Sequence, residues 1–377
     1  MSVLRTSPNS LGWLTCRLIG LFLLISSSAA VACPLCYEAA RQLMTVGQQL
    51  DTAERVVLAV PIGGANQLQI AEIVKGEGAV GDIIAEEVTN LDAAACRRSD
   101  PCLLVRDRFA RQWTNLGTIP AEHADWLRQL AATLSVPGDR PPSAWPVNMQ
   151  ASSLLSYAGW RQRIVLVLPY LENADPLAAR IAWGELARAP YAVLDVARSR
   201  IDATAVWQWL NDPGLRPRYA AYTLLLGFLG NPTDAARLEQ NIEAASRSHD
   251  ATNLAAMIGA DLELRGPSRV GWIEATYFAD HMRTMPEIEA ALLALEVHGE
   301  ANRTVPRERV VQAYRTFIRE RPPMAGFVAQ ELADWGYWDV VEEYTALLRA
   351  KAIEDPASEF AIVNYLQRAA AAKAALR

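Results

Sequence analysis

The chain has 377 residues, a formal net charge of −6 and 51% hydrophobic residues. Its length allows a sizeable core and favours two domains over one. The mild acidic excess argues against nucleic acid as a partner, because nucleic-acid binding depends on neutralising phosphates with basic side chains.

The first 32 residues have the pattern of a cleaved export signal. Arg5 and Arg17 supply positive charge, residues 18–25 form an apolar stretch, and residues 30–32 (AVA) fit a signal-peptidase site. The apolar stretch is shorter than the roughly 20 residues that a membrane-spanning helix needs. We therefore expect residues 1–32 to be removed and the protein to be exported, periplasmic or secreted, with no transmembrane segment left.

Four of the five cysteines remain after this cleavage, since only Cys16 lies in the signal. Cys33, Cys36, Cys96 and Cys102 all lie in the first third of the mature chain, and an even number in an exported region predicts two disulfides. Three pairings exist. We favour bridges from the first two cysteines to the last two, because long closed loops constrain the unfolded chain most. A metal site and a lipid anchor on Cys33 are alternatives.

Short strands are predicted after a short helix over residues 37–50. Three segments are rich in β-branched residues and are separated by Gly, Asn and Pro, as strands are: residues 54–61, 67–76 and 81–88. Residues 102–107 and 110–117 are two further candidates. Five short strands fit a small closed barrel, because closure removes exposed edges. A helix over residues 120–134 follows, with Pro120 suited to its first turn.

Residues 76–81, GEGAVG, match the G-x-G-x-x-G pattern of dinucleotide-binding loops. That function requires a helix directly after the loop, whose N-terminal N–H groups hold the pyrophosphate. The residues that follow, DIIAEEV, are typical of a strand. The sequence therefore predicts a hairpin loop here and no cofactor.

Residues 135–159 are predicted to form a linker, because SVPGDRPPSAWP contains four prolines and a glycine. Helical periodicity predominates from Trp160 onward. The predicted helices cover residues 160–171, 176–188, 191–200, 203–210, 217–229, 233–246, 251–264, 267–280, 285–298, 306–319, 324–335, 338–350 and 356–375. Short connections favour antiparallel packing. Weak echoes such as YLENADPLAAR and FLGNPTDAAR favour a solenoid of stacked helix pairs.

No catalytic or metal-binding residues are predicted. The four histidines are isolated, and no H-E-x-x-H, G-x-S-x-G or Walker pattern occurs. We expect the histidines at surface or capping positions. Most tryptophans of the helical part are expected to pack between helices, with one or two as binding anchors: Trp183, Trp207, Trp209, Trp272, Trp335 and Trp338.

The segment over residues 33–134 resembles the netrin-like module of tissue inhibitors of metalloproteinases. The similarity rests on the mature N-terminal cysteine in C-x-x-C, the short helix after it, and the stretches AERVVLAVP and IAEIVKGE. It implies an OB-type barrel pinned by disulfides and a zinc-chelating role for the amine and carbonyl of Cys33. The segment over residues 160–377 is similar to HEAT-like helical repeats, most of which bind other proteins.

Together these features predict a mixed two-domain fold. A small, disulfide-pinned, OB-like barrel over residues 33–134 is followed by a larger all-α solenoid over residues 160–377. The predicted function is binding or scaffolding of another protein in the bacterial envelope, without catalysis. One alternative is inhibition of an extracytoplasmic metalloprotease through Cys33. A second is a redox or metal-handling role for the four cysteines.

Overall fold

A computed structural model describes residues 44–63, 67–140 and 154–375. The predicted signal, Cys33, Cys36 and residues 141–153 of the predicted linker lie outside these ranges. Residues 44–377 form one unit. Within the described part of the chain, no helix has the length and apolar character needed to cross a membrane.

The strands form one six-stranded sheet in the spatial order β3-β2-β1-β5-β6-β4. Their bounds are β1 Arg55–Pro61, β2 Leu68–Lys75, β3 Ile83–Ile84, β4 Val88–Thr89, β5 Cys102–Arg106 and β6 Trp113–Thr118. Neighbouring strands are antiparallel, except that β4 pairs with β6 in parallel. The loop GEGAVG connects the antiparallel strands β2 and β3, so the prediction of a hairpin loop is confirmed.

The two edge strands of this sheet are consecutive in the chain. Only residues 85–87 separate β3 from β4, and the chain from Ile84 to Val88 reaches at most about 14 Å. A flat six-stranded sheet would hold its edges about 24 Å apart, at about 4.8 Å per strand spacing. The sheet therefore curls into a half-barrel.

The prediction of five strands in a closed barrel is wrong in two respects. The predicted strand over residues 81–88 is divided into β3 and β4, which lie at opposite edges of the sheet. Among the described strands, no ladder joins β3 to β4 and closes the barrel. The short chain between β3 and β4 draws the two edges of the sheet towards each other. Each of these strands has only two residues, and they pair with β2 and β6 instead of with each other.

The helices follow most of the predicted segments. Helices α1 Val46–Thr52 and α2 Ala124–Ala132 accompany the sheet. The later helices are α3 Tyr157–Val167, α4 Pro176–Arg188, α5 Ala203–Leu210, α6 Tyr219–Leu229, α7 Pro232–Ser248, α8 Leu254–Arg265, α9 Val270–Ile273, α10 Met285–Ala301, α11 Arg307–Glu320, α12 Ala329–Asp334, α13 Val341–Ala350 and α14 Pro356–Ala375. Short 3₁₀ helices cover Ala121–His123, Thr133–Ser135, Leu168–Tyr170, Tyr191–Ser199, Pro213–Arg218, Pro267–Arg269 and Pro322–Val328, and a π-helix covers Glu274–Phe278.

Aspartate caps explain why several predicted helices begin where expected. The Asp175 carboxylate accepts a hydrogen bond from the Ala178 amide at 2.6 Å, and Asp202 accepts one from Thr204 at 2.9 Å. Such caps satisfy amides that have no partner within the helix. The bounds predicted for α4, α5 and α14 agree with the structure. The predicted solenoid stays a prediction.

Helix α3 begins at Tyr157, inside the predicted linker. Ser156 caps it, since its hydroxyl accepts a hydrogen bond from the Gly159 amide at 3.0 Å. The same hydroxyl donates to the Val136 carbonyl at 2.9 Å. Ser156 therefore joins the chain segments on the two sides of residues 141–153.

The hydrophobic core runs from one face of the sheet into the helices. Val56 and Leu58 of β1 belong to the same cluster as Trp160 and Ile181 of the helical part. Side chains alternate along a strand, so Val57 faces the other way, into a smaller cluster that includes Trp113. Strand β1 is therefore buried on both faces. The sheet and the helices share one core.

Cys96 is bonded to Cys102, six residues further along the chain. The Cα atoms are 5.2 Å apart, within the range that a disulfide bridges. This pairing corrects our expectation that both would bond to Cys33 and Cys36. Arg97 and Asp100 exchange backbone hydrogen bonds in a tight turn that brings the two cysteines together. The pairing of these cysteines is therefore determined by the local turn and not by the length of the closed loop.

Candidate functional site

A cleft of about 690 Å³ opens between α2, α3 and the 3₁₀ helix Tyr191–Ser199, called helix 191–199 below. This volume is in the range of ligand-binding sites. Apolar side chains form its floor, and exposed polar side chains form its rim. The floor consists of the half-buried Val165, Leu166 and Val196, and the rim of the exposed Gln129, Arg161, Gln162, Ser199 and Arg200. Thr133 and Asp195 lie between them, and the exposed Ala132 also lines the cleft.

Asp195 holds two guanidinium groups beside the cleft. Its Oδ1 accepts a hydrogen bond from Arg161 at 2.8 Å, and its Oδ2 accepts one from Arg303 at 3.0 Å. Arg303 also donates to the Ala192 carbonyl at 2.7 Å. One carboxylate thus connects α3, helix 191–199 and the turn after α10. An arginine has five N–H donors, and the Arg161 side chain is 48% exposed, so it keeps donors that face solvent.

Arg200 lies at the end of helix 191–199. Its Nη1 donates to the Val196 carbonyl at 2.8 Å and to the Ser199 hydroxyl at 3.3 Å. Within the described residues, no carboxylate forms an ion pair with it. The charged side chains of the lining are Arg161, Arg200 and Asp195, which sum to 2 − 1 = +1. The cleft therefore presents positive charge and free N–H donors to solvent.

A buried ionic cluster fixes the position of α3. Arg163 of α3 binds Asp51 of α1 at 2.8 Å and Glu185 of α4 at 3.2 Å. Arg188 binds the same two carboxylates at 2.5 and 2.9 Å, so the four charges balance. A Cβ at Gly47 would lie 1.4 Å from the Glu185 carboxylate. Glycine is therefore required there for the close approach of α4.

Thr133 connects this cluster to the cleft. Thr133 is one of the cleft residues, and its buried hydroxyl accepts a hydrogen bond from Arg163 at 2.9 Å and donates to the Leu130 carbonyl at 2.6 Å. Lys75 of β2 donates to the carbonyls of Leu50 and Asp51 at 3.0 and 2.7 Å. Burial lowers the pKa of Lys75, and the charge of Asp51 opposes that shift. Through Arg163 and Thr133, this buried cluster is connected to the residues of the cleft.

A second buried polar cluster lies behind helix 191–199. The Tyr191 hydroxyl donates to Glu263 at 3.2 Å and lies 3.4 Å from His298 Nε2. His298 Nε2 is 2.9 Å from the Gly259 carbonyl, and burial lowers the pKa of the imidazole. These residue types occur in acid–base sites. However, Tyr191 and His298 are only 5% and 1% exposed, so they connect helices rather than meet a ligand.

Two of the four histidines are buried, against the expectation of surface or capping positions. His249 does end α7, with left-handed backbone geometry, and His281 is exposed. His123 and His298 are buried instead. Within residues 44–63, 67–140 and 154–375, no group of three or more His, Cys, Asp or Glu side chains could hold a metal ion.

The tryptophans of the helical part are packing residues. Trp207 is buried and hydrogen-bonded to Asp234 at 2.7 Å, and Arg237 stacks over its ring at 3.8 Å. Trp183, Trp209, Trp272, Trp335 and Trp338 are all half-buried. Packing between helices is therefore the confirmed role for most of them, and no tryptophan lines the cleft.

The sequence does not predict the cleft residues, because no motif unites them. Arg161 and Asp195 are 34 residues apart, and Arg303 is 108 residues from Asp195. A search against protein-family models, curated proteins and solved structures finds no match. The geometry of the cleft is therefore the basis for a proposed function.

Proposed function

We propose that the protein is an exported, non-catalytic protein-binding protein of the bacterial envelope, and that the cleft between α2, α3 and helix 191–199 is its binding site. The observation that carries this proposal is the apolar floor surrounded by exposed arginine, glutamine and serine. Protein-binding surfaces combine an apolar centre with a polar rim and are enriched in arginine. Export rests on the sequence pattern of residues 1–32.

The size of the cleft favours a short segment of a partner over a folded domain. A volume of about 690 Å³ is that of a small-ligand site, whereas a standard protein–protein interface buries roughly 800 Å² on each partner. A loop or terminus of another envelope protein would reach the floor formed by Val165, Leu166 and Val196. The similarity to HEAT-like repeats over residues 160–377 points to the same class of function.

Site-specific photocrosslinking in the native cell tests this proposal. A photoreactive phenylalanine derivative replaces Gln162 on the cleft rim or, as a matched control, the exposed Gln367 on α14. We expect a crosslinked envelope protein from position 162 and none of the same mass from position 367. Equal crosslinking at both positions, or none at 162, would show that the cleft is not the binding site. Cell fractionation of the same samples tests export.

A further inference from the structure

We infer that the cleft recognises an acidic segment of its partner, with Arg200 and Arg161 binding a side-chain carboxylate. This inference rests on the proposed function, because it specifies the chemistry of the bound segment. It is carried by the placement of two arginines with unused donors above an apolar floor.

Arg200 is the stronger of the two anion-binding groups. Only its Nη1 has hydrogen-bond partners among the described residues, and both partners are uncharged oxygens. Its remaining N–H donors can bind a carboxylate in the bidentate manner that guanidinium groups favour. Other arginines contrast with it: Arg265, for example, pairs with both Glu239 and Asp261.

Arg161 adds a second donor in a fixed position. Its hydrogen bond to Asp195 holds the guanidinium at the cleft, while Arg303 shares the charge of that carboxylate. The negative charge of Asp195 is therefore neutralised by two arginines, and this lessens its repulsion of an incoming anion. The half-buried Val165, Leu166 and Val196 lie in the same lining. The segment that fits best has an acidic residue beside an aliphatic one.

Selection from random peptides tests this inference without knowledge of the natural partner. A phage-displayed library of random heptapeptides is panned against the whole protein, and enriched peptides are synthesised with both ends blocked. We expect Asp and Glu to be enriched next to Leu, Ile or Val. Fluorescence anisotropy should show at least tenfold weaker binding for Arg200→Gln, a loss of about that size for one charge-assisted hydrogen bond. Peptides with Asn and Gln in place of Asp and Glu should also bind at least tenfold more weakly to the unchanged protein.

Matched variants separate this inference from the proposed function. Ala132→Trp fills the cleft from an exposed position, and Ala370→Trp is the control at an exposed position on α14. Circular dichroism checks that all variants fold. Peptides blocked by Ala132→Trp but insensitive to Arg200→Gln would overturn the carboxylate inference and leave the protein-binding function standing. No enrichment at all, or peptides indifferent to Ala132→Trp, would overturn both.

Discussion

Helix α10 carries a buried glutamate, Glu287, in its first turn and a half-buried one, Glu296, in its C-terminal half. The pKa values of these two carboxyl groups are shifted in opposite directions. The pKa of Glu287, in the first turn, is lowered to about 2. The pKa of Glu296, nine residues later in the same helix, is raised to about 8. The Glu287 side chain is the less exposed to solvent of the two. The comparison teaches that local partners, rather than burial alone, set the charge of these groups.

At the N-terminal end, donors surround the carboxylate. Burial alone would raise the pKa of Glu287, but hydrogen bonds from His249, Thr284 and Arg283 outweigh it. Arg283 lies 3.0 Å from Oε1, and His249 Nδ1 and the Thr284 amide lie 3.0 and 2.9 Å from Oε2. The positive end of the helix dipole also favours a negative charge here.

In the C-terminal half of α10, the carboxylate of Glu296 is surrounded by other carboxylates. Burial and then the charges of Glu331, Glu300 and Asp334 raise the pKa of Glu296. Glu331 on α12 has its own pKa raised to about 7, again mainly by burial. Arg368 binds Asp334 at 2.7 Å, but no ion pair to Glu296 or Glu331 occurs among the described residues.

The two ends therefore respond to pH in opposite senses. Glu287 has a folded pKa below the ordinary 4.5, so its contribution to stability is present above pH 4.5 and is lost as the pH falls towards 2. Glu296 and Glu331 have raised pKa values, so their contribution is present below pH 4.5 and is lost as the pH rises through about 7 to 8.

The largest effect is expected from Glu287→Gln. The variant removes a buried negative charge and leaves Arg283 with Asp280 as its remaining carboxylate partner. Removing one partner of a buried ion pair costs about 3 kcal/mol, which urea unfolding at pH 7 measures. The loss should shrink as the pH approaches 2, where the native carboxyl is protonated.

Glu308→Gln is the matched control for this variant. Glu308 also lies in the first turn of a helix, α11, but it is exposed. A change below about 0.5 kcal/mol is expected there, as for most surface positions. If both variants lose the same stability, the buried partners of Glu287 are not the cause, and the comparison of the two helix ends fails.

Glu296→Gln is expected to act in the opposite direction, with a smaller effect. The neutral amide removes the repulsion from Glu331 and Glu300, so unfolding at pH 8.5 should require more urea, by on the order of 1 kcal/mol. At pH 4 the native carboxyl is protonated and the variant should gain nothing. A gain that is the same at both pH values would show that packing, and not charge, explains it. Glu342→Gln, at an exposed position on α13, serves as the control.

The sequence allows one of these helix ends to be predicted but not the other. Thr284 and Glu287 form a capping box within one turn, a local signal for the start of a helix. Glu296 and Glu331 come from helices 35 residues apart in sequence, and only tertiary packing brings their charges together. The same limit applies to the cleft, since Arg161, Asp195 and Arg303 belong to three separate elements.

In the sheet, the strand-forming pattern of residues 81–88 is predicted correctly, but the division into two strands and their partners is not. The β-branched residues over 81–88 do form strands, as predicted, yet β3 and β4 pair with β2 and β6 at the two edges. Alternation of side chains fixes the faces of a strand but not its neighbour. Helix bounds were more predictable, because caps such as Asp175 act within a few residues.

The smallest effect, from His249→Gly, tests whether a single donor contributes to the low pKa of Glu287. His249 has a φ of 54°, which glycine adopts without strain, so the variant removes the imidazole without distorting the end of α7. Loss of one donor should raise the pKa of Glu287 towards 4.5. Stability at pH 7 should therefore fall by about 0.5 kcal/mol more than stability at pH 2.5. Effects of glycine on the backbone are the same at both pH values, so they do not contribute to this difference. His281→Gly, at an exposed position, should show no such difference. An equal loss at pH 7 and pH 2.5 for His249→Gly would assign the low pKa to Arg283, Thr284 and the helix dipole alone.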